Sequence, residues 1–293
     1  MRLLFIISAL VFSDPCPAKA ADSVAASDGM VQHVYRKDET LRYFFEDTDY
    51  MYTTKSGSVA LRPETLRSMT DLKLNLKISV ADVSSGTAHR RIEFSAGQYR
   101  SAAPDNYNQT PSVPLSSAIP GFPADFGYEY DSDGKVVNHT ATFFQPYLSS
   151  DAGVFVYYKT MDIHTFQSII DSISGAQKPG DIVIKTGKDI PLAMGIFKNA
   201  NSVLNYHRVE TVDRVRCAVF KVATLGNEFQ VKGAGDTLQT DYQLTMFVPL
   251  EGEYQGLLLR GDLQEYVLQK PDTFVLRQLS MTLQRKGSQV DRH

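Results

Sequence analysis

Asp71-Leu72-Lys73-Leu74-Asn75-Leu76-Lys77-Ile78-Ser79-Val80 decides the fold class of this chain. Apolar side chains fall on every second position, with Asp, Lys, Asn or Ser between them. A period of two places all the apolar groups on one face of an extended strand, so the segment reads as a half-buried antiparallel strand. At ~3.3 Å per residue the ten residues span roughly 33 Å, long for an ordinary globular domain. Asp82-Val83-Ser84-Ser85-Gly86-Thr87 supplies turn residues, and Ala88, Arg90, Ile92 and Phe94 keep the alternation on the return.

The same texture recurs on both sides of this hairpin. Leu41–Phe45 is an earlier strand signal, ending in the acidic run Glu46-Asp47-Thr48-Asp49. That run lacks the spacing and closing Glu of a calcium loop, so a solvated turn is expected. Tyr50–Thr54 continues in β style, and Pro63–Ser68 reads as a single helical turn. Later strands are expected at Ile182–Ile184, Val203–Val209, Val215–Val222, Phe229–Val231, Gln255–Arg260 and Val275–Leu283. Tyr242, Leu244, Met246 and Val248 alternate as cleanly as the first hairpin. One helix stands out: Ile163, Phe166, Ile169, Ile170 and Ile173 recur at helical spacing, with Asp162 as cap and Gly175 as stop.

These elements predict a mainly β fold with one amphipathic helix, built as a curved antiparallel sheet, a half-barrel or two packed β units. The expected organisation is a signal peptide over 1–20, an N-terminal β unit over 30–160, a helix and linker over 161–178 and a C-terminal β unit over 180–286. Pro104, Pro111, Pro114, Pro120 and Pro123 exclude a regular ladder from the loop 104–125. Val113, Leu115, Ile119, Phe122 and Phe126 give that loop more apolar content than a linker needs. A strap packed over the sheet or across a cavity mouth is expected there.

Leu3–Phe12 is an uncharged run behind Arg2, followed by Pro15, Pro17 and the small-x-small triplet Ala18-Lys19-Ala20. This is the pattern of a secretory signal cut near Ala20; the run is half the length of a membrane span. Pro15, directly before Cys16, is not the small residue that a lipid-modified cysteine requires. No second run reaches spanning length, so the mature chain, exported by this signal to the periplasm or beyond, is expected to be soluble or at most peripherally attached. Cleavage removes Cys16 and leaves Cys217 alone, excluding an internal disulfide; its strand-like setting predicts a buried, inert thiol. Losing two cations (Arg2, Lys19) and one anion (Asp14) takes the net charge from −3 to −4. That balance argues against nucleic acid as a partner.

Catalytic patterns are few. The six histidines form no H-E-x-x-H or close metal pair, and no G-x-S-x-G elbow, P-loop or G-x-G-x-x-G is present. Ser132–Lys135 fits Ser-x-x-Lys and Lys185-Thr186-Gly187 supplies its usual companion. Ser132, however, sits in the glycine turn Asp131–Gly134 between strand signals rather than at a helix start. Arg90-Arg91, and Arg214 with Arg216, read as charges on a wet sheet face with cross-strand ion pairs. A non-enzymatic reading is favoured; no catalytic residue, metal ligand or cofactor is assigned.

Successive long strands with one helix and an apolar-lined face resemble the exported half-barrel carriers typified by LolA and the mycobacterial LppX group. The runs Tyr35–Tyr43, Asp82–Ala88 and Val215–Val222 are similar in texture to uncharacterised exported bacterial β proteins. Those carriers hold an acyl chain between a curved sheet and a helix. The resemblance implies that Leu72, Leu74, Leu76, Ile78, Tyr242, Leu244 and Met246 face such a cavity, covered by the Asp162 helix or the Pro-rich strap. The expected function is therefore that of an exported protein binding an apolar, lipid-like ligand in the cell envelope, alone or with an envelope protein partner. The alternatives are a structural or adhesive β module binding protein or glycan, and an envelope hydrolase; fold analogy alone does not choose.

Overall fold

The computed structural model describes residues 33–53, 63–84, 87–123, 126–130, 145–147, 149–150, 152–153, 155–156, 159, 178–192, 195–231, 237–270 and 273–285. The signal segment 1–20, the turn Asp131–Gly134 and the helix expected from Asp162 to Gly175 lie outside them.

Among the described residues eleven strands make one sheet: β1 (Thr40–Thr53), β2 (Leu66–Ser84), β3 (Thr87–Ala102), β4 (Val113–Pro114), β5 (Phe126–Tyr130), β6 (Ile182–Leu192), β7 (Gly195–Val212), β8 (Val215–Val231), β9 (Thr237–Pro249), β10 (Arg260–Lys270) and β11 (Thr273–Leu283). Their order is β4-β3-β2-β1-β11-β10-β9-β8-β7-β6, with β5 also on β3. Each of these pairings is antiparallel. The expected fold class, a mainly β chain in a curved antiparallel sheet, is what the protein adopts. Two meanders are joined at β1 and β11, the first and last strands, in register from Tyr43 opposite Leu283 to Thr53 opposite Thr273.

Alternation carries straight into packing. Leu72, Leu74, Leu76, Ile78 and Val80 are all buried on β2. Their register partners continue the apolar face on both sides. One row runs Leu74, Phe45, Met281, Gly261, Met246, Phe220, Tyr206. Its neighbour runs Leu72, Asp47, Leu279, Leu263, Leu244, Val222, Leu204. The opposite face is wet: Lys73 pairs with Glu46, and Lys77 Nζ lies 2.8 Å from Glu93. That hydrogen bond holds the Glu93 carboxyl below its usual range.

Several boundaries differ from those expected. Glu46–Asp49 is no turn but the middle of β1; acidic residues are uncommon in strands, and here buried cations offset the cost. β10 begins where the Gln255–Arg260 strand was expected to end, and Phe229–Val231 belongs to β8. Arg214 sits in the two-residue β7–β8 turn rather than beside Arg216 on a strand. Asp213 (φ 48°) and Arg214 (φ 66°) both adopt the left-handed conformation that such a hairpin turn requires.

The Pro-rich loop forms a strap around the β3 edge. It starts as a 3-10 helix, Pro104–Gln109, forms β4 against Gln98 and Tyr99, then makes the single helical turn α1 (Leu115–Ala118). Tyr107 of the 3-10 helix bonds Asp71, which alternates with Leu72 and so lies on the outer face. Leu115, Ile119 and Phe122 join the inner core. At the other end of the sheet β6 is an edge strand, with Ile182 and Ile184 59% and 63% exposed.

Candidate functional site: the covered apolar face

Among the described residues, the inner face of the sheet is covered from three parts of the chain. From the strap come Leu115, Ile119 and Phe122; from the helical residues that follow come Ala152 and Val156; Leu250 and Leu257–Leu259 come from the connection between β9 and β10. Their mutual contacts are specific. Gly97 follows Ala96 (φ 51°), where β3 bulges, and a Cβ at Gly97 would stand 2.3 Å from Leu115 Cδ1. The absent side chain is the seat of the strap. The Tyr147 hydroxyl donates to the Gly121 carbonyl (3.1 Å), and its ring meets Phe122 edge-on at 5.0 Å. Gly153 approaches Tyr147 so closely that a Cβ would fall 1.9 Å from the Tyr147 carbonyl oxygen.

Six of the seven residues singled out by sequence have described side chains, and all six are buried in this one cluster: Leu72, Leu74, Leu76, Ile78, Leu244 and Met246. Leu74 and Met246 share one row across the sheet, Leu72 and Leu244 the next. Tyr242 belongs by backbone register to a third row, opposite Glu265; its side chain is outside the described residues.

That third row breaks the apolar pattern. It runs Thr70, Asp49, Arg277, Glu265, Tyr242, and Asp47 adjoins it two residues along β1. The Arg277 guanidinium grips Asp47, with Nε 2.9 Å and Nη2 2.6 Å from Oδ2, while Nη1 donates to Glu265 at 3.1 Å. From the helical layer above, Lys159 Nζ reaches Asp49 at 2.7 Å and Asp47 at 3.5 Å. The Lys159 side chain is 8% exposed and that of Asp47 is 0%. Lys159 also stands over the Phe155 ring at 5.0 Å, which packs edge-on against Tyr99. Burial pushes the Asp49 carboxyl above its usual range; Lys159 opposes the shift and the Asp47 charge adds to it.

Sequence reasoning missed this ionic band because its members are scattered over Asp47, Asp49, Lys159, Glu265 and Arg277. The available signal was the pair Asp47 and Asp49 at strand spacing, in phase with Tyr43 and Phe45. Cys217 is buried, as expected, and burial raises its thiol to about 11. On the outer face Asp71 accepts from Arg100 (Nη2, 2.5 Å) and Tyr107, and its Oδ1 is buried without a hydrogen-bond partner among the described residues. This cluster pins the first half of the strap.

No family model and no curated protein matches the chain. Among solved structures, lipovitellin aligns with a TM-score of 0.45 and 8% identity over 88% of this chain, which spans 26% of the lipovitellin chain. A protein from Bacteroides fragilis NCTC 9343 described as exported, with a YmcC-like fold, aligns at 0.23 and 11% identity, covering 89% of this chain and 100% of that one. A protein from Parabacteroides distasonis ATCC 8503 described as a lipoprotein gives 0.20 and 11%, with 82% and 92% covered. At TM-scores below 0.5 these likenesses carry no argument about function. Among the described residues no helix is long and apolar enough to cross a membrane.

Proposed function

We propose that this chain, exported behind its N-terminal signal, is a non-enzymatic binder of an apolar, lipid-like ligand. The ligand lies against the inner face of the sheet, over Leu72, Leu74, Leu76, Ile78, Leu244 and Met246, with Tyr242 at its border. One observation carries the reading: an apolar face continuous across seven strands is covered, among the described residues, by the strap, by the helical residues Ala152 and Val156 and by the β9–β10 connection. A sheet-on-sheet core comes apart only by unfolding. A cover of strap and helical residues can part locally and admit a chain between itself and the floor.

Native mass spectrometry of gently purified protein tests this, together with uptake of a fluorescent fatty acid. Co-purifying adducts of lipid mass, or saturable uptake, are expected. A consistently ligand-free species with no uptake overturns the proposal.

A further inference from the structure

The inner face is amphiphilic, not uniformly apolar. Along β1 it passes from Leu41, Tyr43 and Phe45 to Asp47 and Asp49; along β11, from Leu283, Met281 and Leu279 to Arg277; along β10, from Leu263 to Glu265. Apolar rows therefore adjoin a charged one, and the charged row lies under the cover, where Lys159 completes it. An apolar ligand filling the rows to Asp47 would bring one end against this band.

The members of the band differ in how firmly they are held. Arg277 is fixed to the floor by Asp47 and Glu265, both carried by strands. Lys159 alone comes from the cover, and its pair with Asp49 spans the interface that an entering molecule must part. A group that takes over Lys159 leaves Asp49 behind. Asp49 can become neutral by accepting a proton, the direction in which burial already drives it, so no unpaired charge stays buried. A cationic group would instead take Asp49 and strand the Lys159 ammonium beside the Arg277 guanidinium that shares Asp47.

We infer that Lys159 is the headgroup contact for an anionic amphiphile, a carboxylate or a phosphate monoester on an alkyl chain, with Asp49 the counter-ion that the headgroup displaces. This rests on the lipid-binding reading above. The tail lies over the apolar rows, and the anion sits against the ammonium held by the Phe155 ring.

Competition against a fluorescent neutral lipid probe tests it, using dodecanoate, monododecyl phosphate, dodecanol and dodecylammonium on the full chain. The two anions separate the sources of the headgroup. At least one of them is expected to bind about tenfold more tightly than dodecanol, the scale of a charge-assisted contact. Lys159→Met is expected to bring the ratio of anion to dodecanol affinity, both measured on that variant, close to one, and Lys159→Arg to retain the preference. Asp49→Asn should keep the preference and remove its strengthening on acidification, read with monododecyl phosphate, which stays anionic. Equal binding of dodecanol or dodecylammonium, or an anion preference surviving in Lys159→Met, overturns the headgroup assignment and leaves the lipid-binding reading standing. Failure of every amphiphile to bind overturns both.

Discussion

Asp49 is a partly buried carboxylate, and the cation it bonds, Lys159, is shared with Asp47. Its pKa is raised in the folded protein, so between the ordinary aspartate range and the raised value the native state holds a proton that the unfolded chain has released. Unfolding then releases a proton, and the stability contributed by this group falls as pH rises through that window. Urea midpoints measured from pH 4 to 7 are therefore expected to show a smaller decline in Asp49→Asn than in the parent; parallel curves count against the burial argument. A second prediction concerns the β7–β8 turn, where Arg214 holds φ 66°. A side chain in the left-handed region is disfavoured, and Arg214→Gly is expected to stabilise by about 0.5–1 kcal/mol in chemical denaturation. Neither residue's state was legible in the sequence. Acidic residues read as turn formers unless a distant partner overrides them, and Asp47's partners lie 112 and 230 positions away. The alternating leucines needed no partner to be read, because their spacing alone assigns the buried face.

At the scale of elements, β2 separates its two faces residue by residue. Leu76 sits between Tyr43 and Phe94 and is 1% exposed, whereas Lys77 pairs with Glu93 near the surface. Burying a leucine contributes ~1.5–3 kcal/mol, and an unpaired charge in its place costs more. Leu76→Asp should yield no soluble folded protein, while Lys77→Asp should fold with a modest loss; equal solubility and circular dichroism for the two would contradict the assigned faces. The strap offers a sharper test. Gly97→Ala drives a methyl into Leu115, itself packed in the core, and is expected to destabilise by roughly 1–3 kcal/mol. Gly97→Ala with Leu115→Ala should recover part of that loss, because the second change vacates the occupied space. Non-additivity in a double-mutant cycle is the measurement. The proline spacing and apolar content of 104–125 foretold a strap; its seat on one glycine and its anchor at Asp71 depend on contacts from other strands. β10 went unread for a similar reason: Gly261 and Glu265 occupy two of its inward positions and disrupt the apolar period.

For the molecule as a whole, the pairing of β1 with β11 makes two meanders into one sheet. Removing residues 272–293 leaves β4-β3-β2-β1 and β10-β9-β8-β7-β6 with no strand between them. The full chain is expected to unfold in one cooperative transition, coincident by tyrosine fluorescence and far-ultraviolet circular dichroism, and the truncated chain to lose that coincidence. Persistence of a sharp transition in the truncated protein would mark the two meanders as self-sufficient. The seam also has a temporal side. Synthesis proceeds from the amino terminus, so β1 exists for most of the chain's emergence with one flank bare, waiting for a neighbour over two hundred residues behind it. Until that neighbour arrives, a hydrogen-bonding rim bordered by Tyr43 and Phe45 is open to mispairing with other chains.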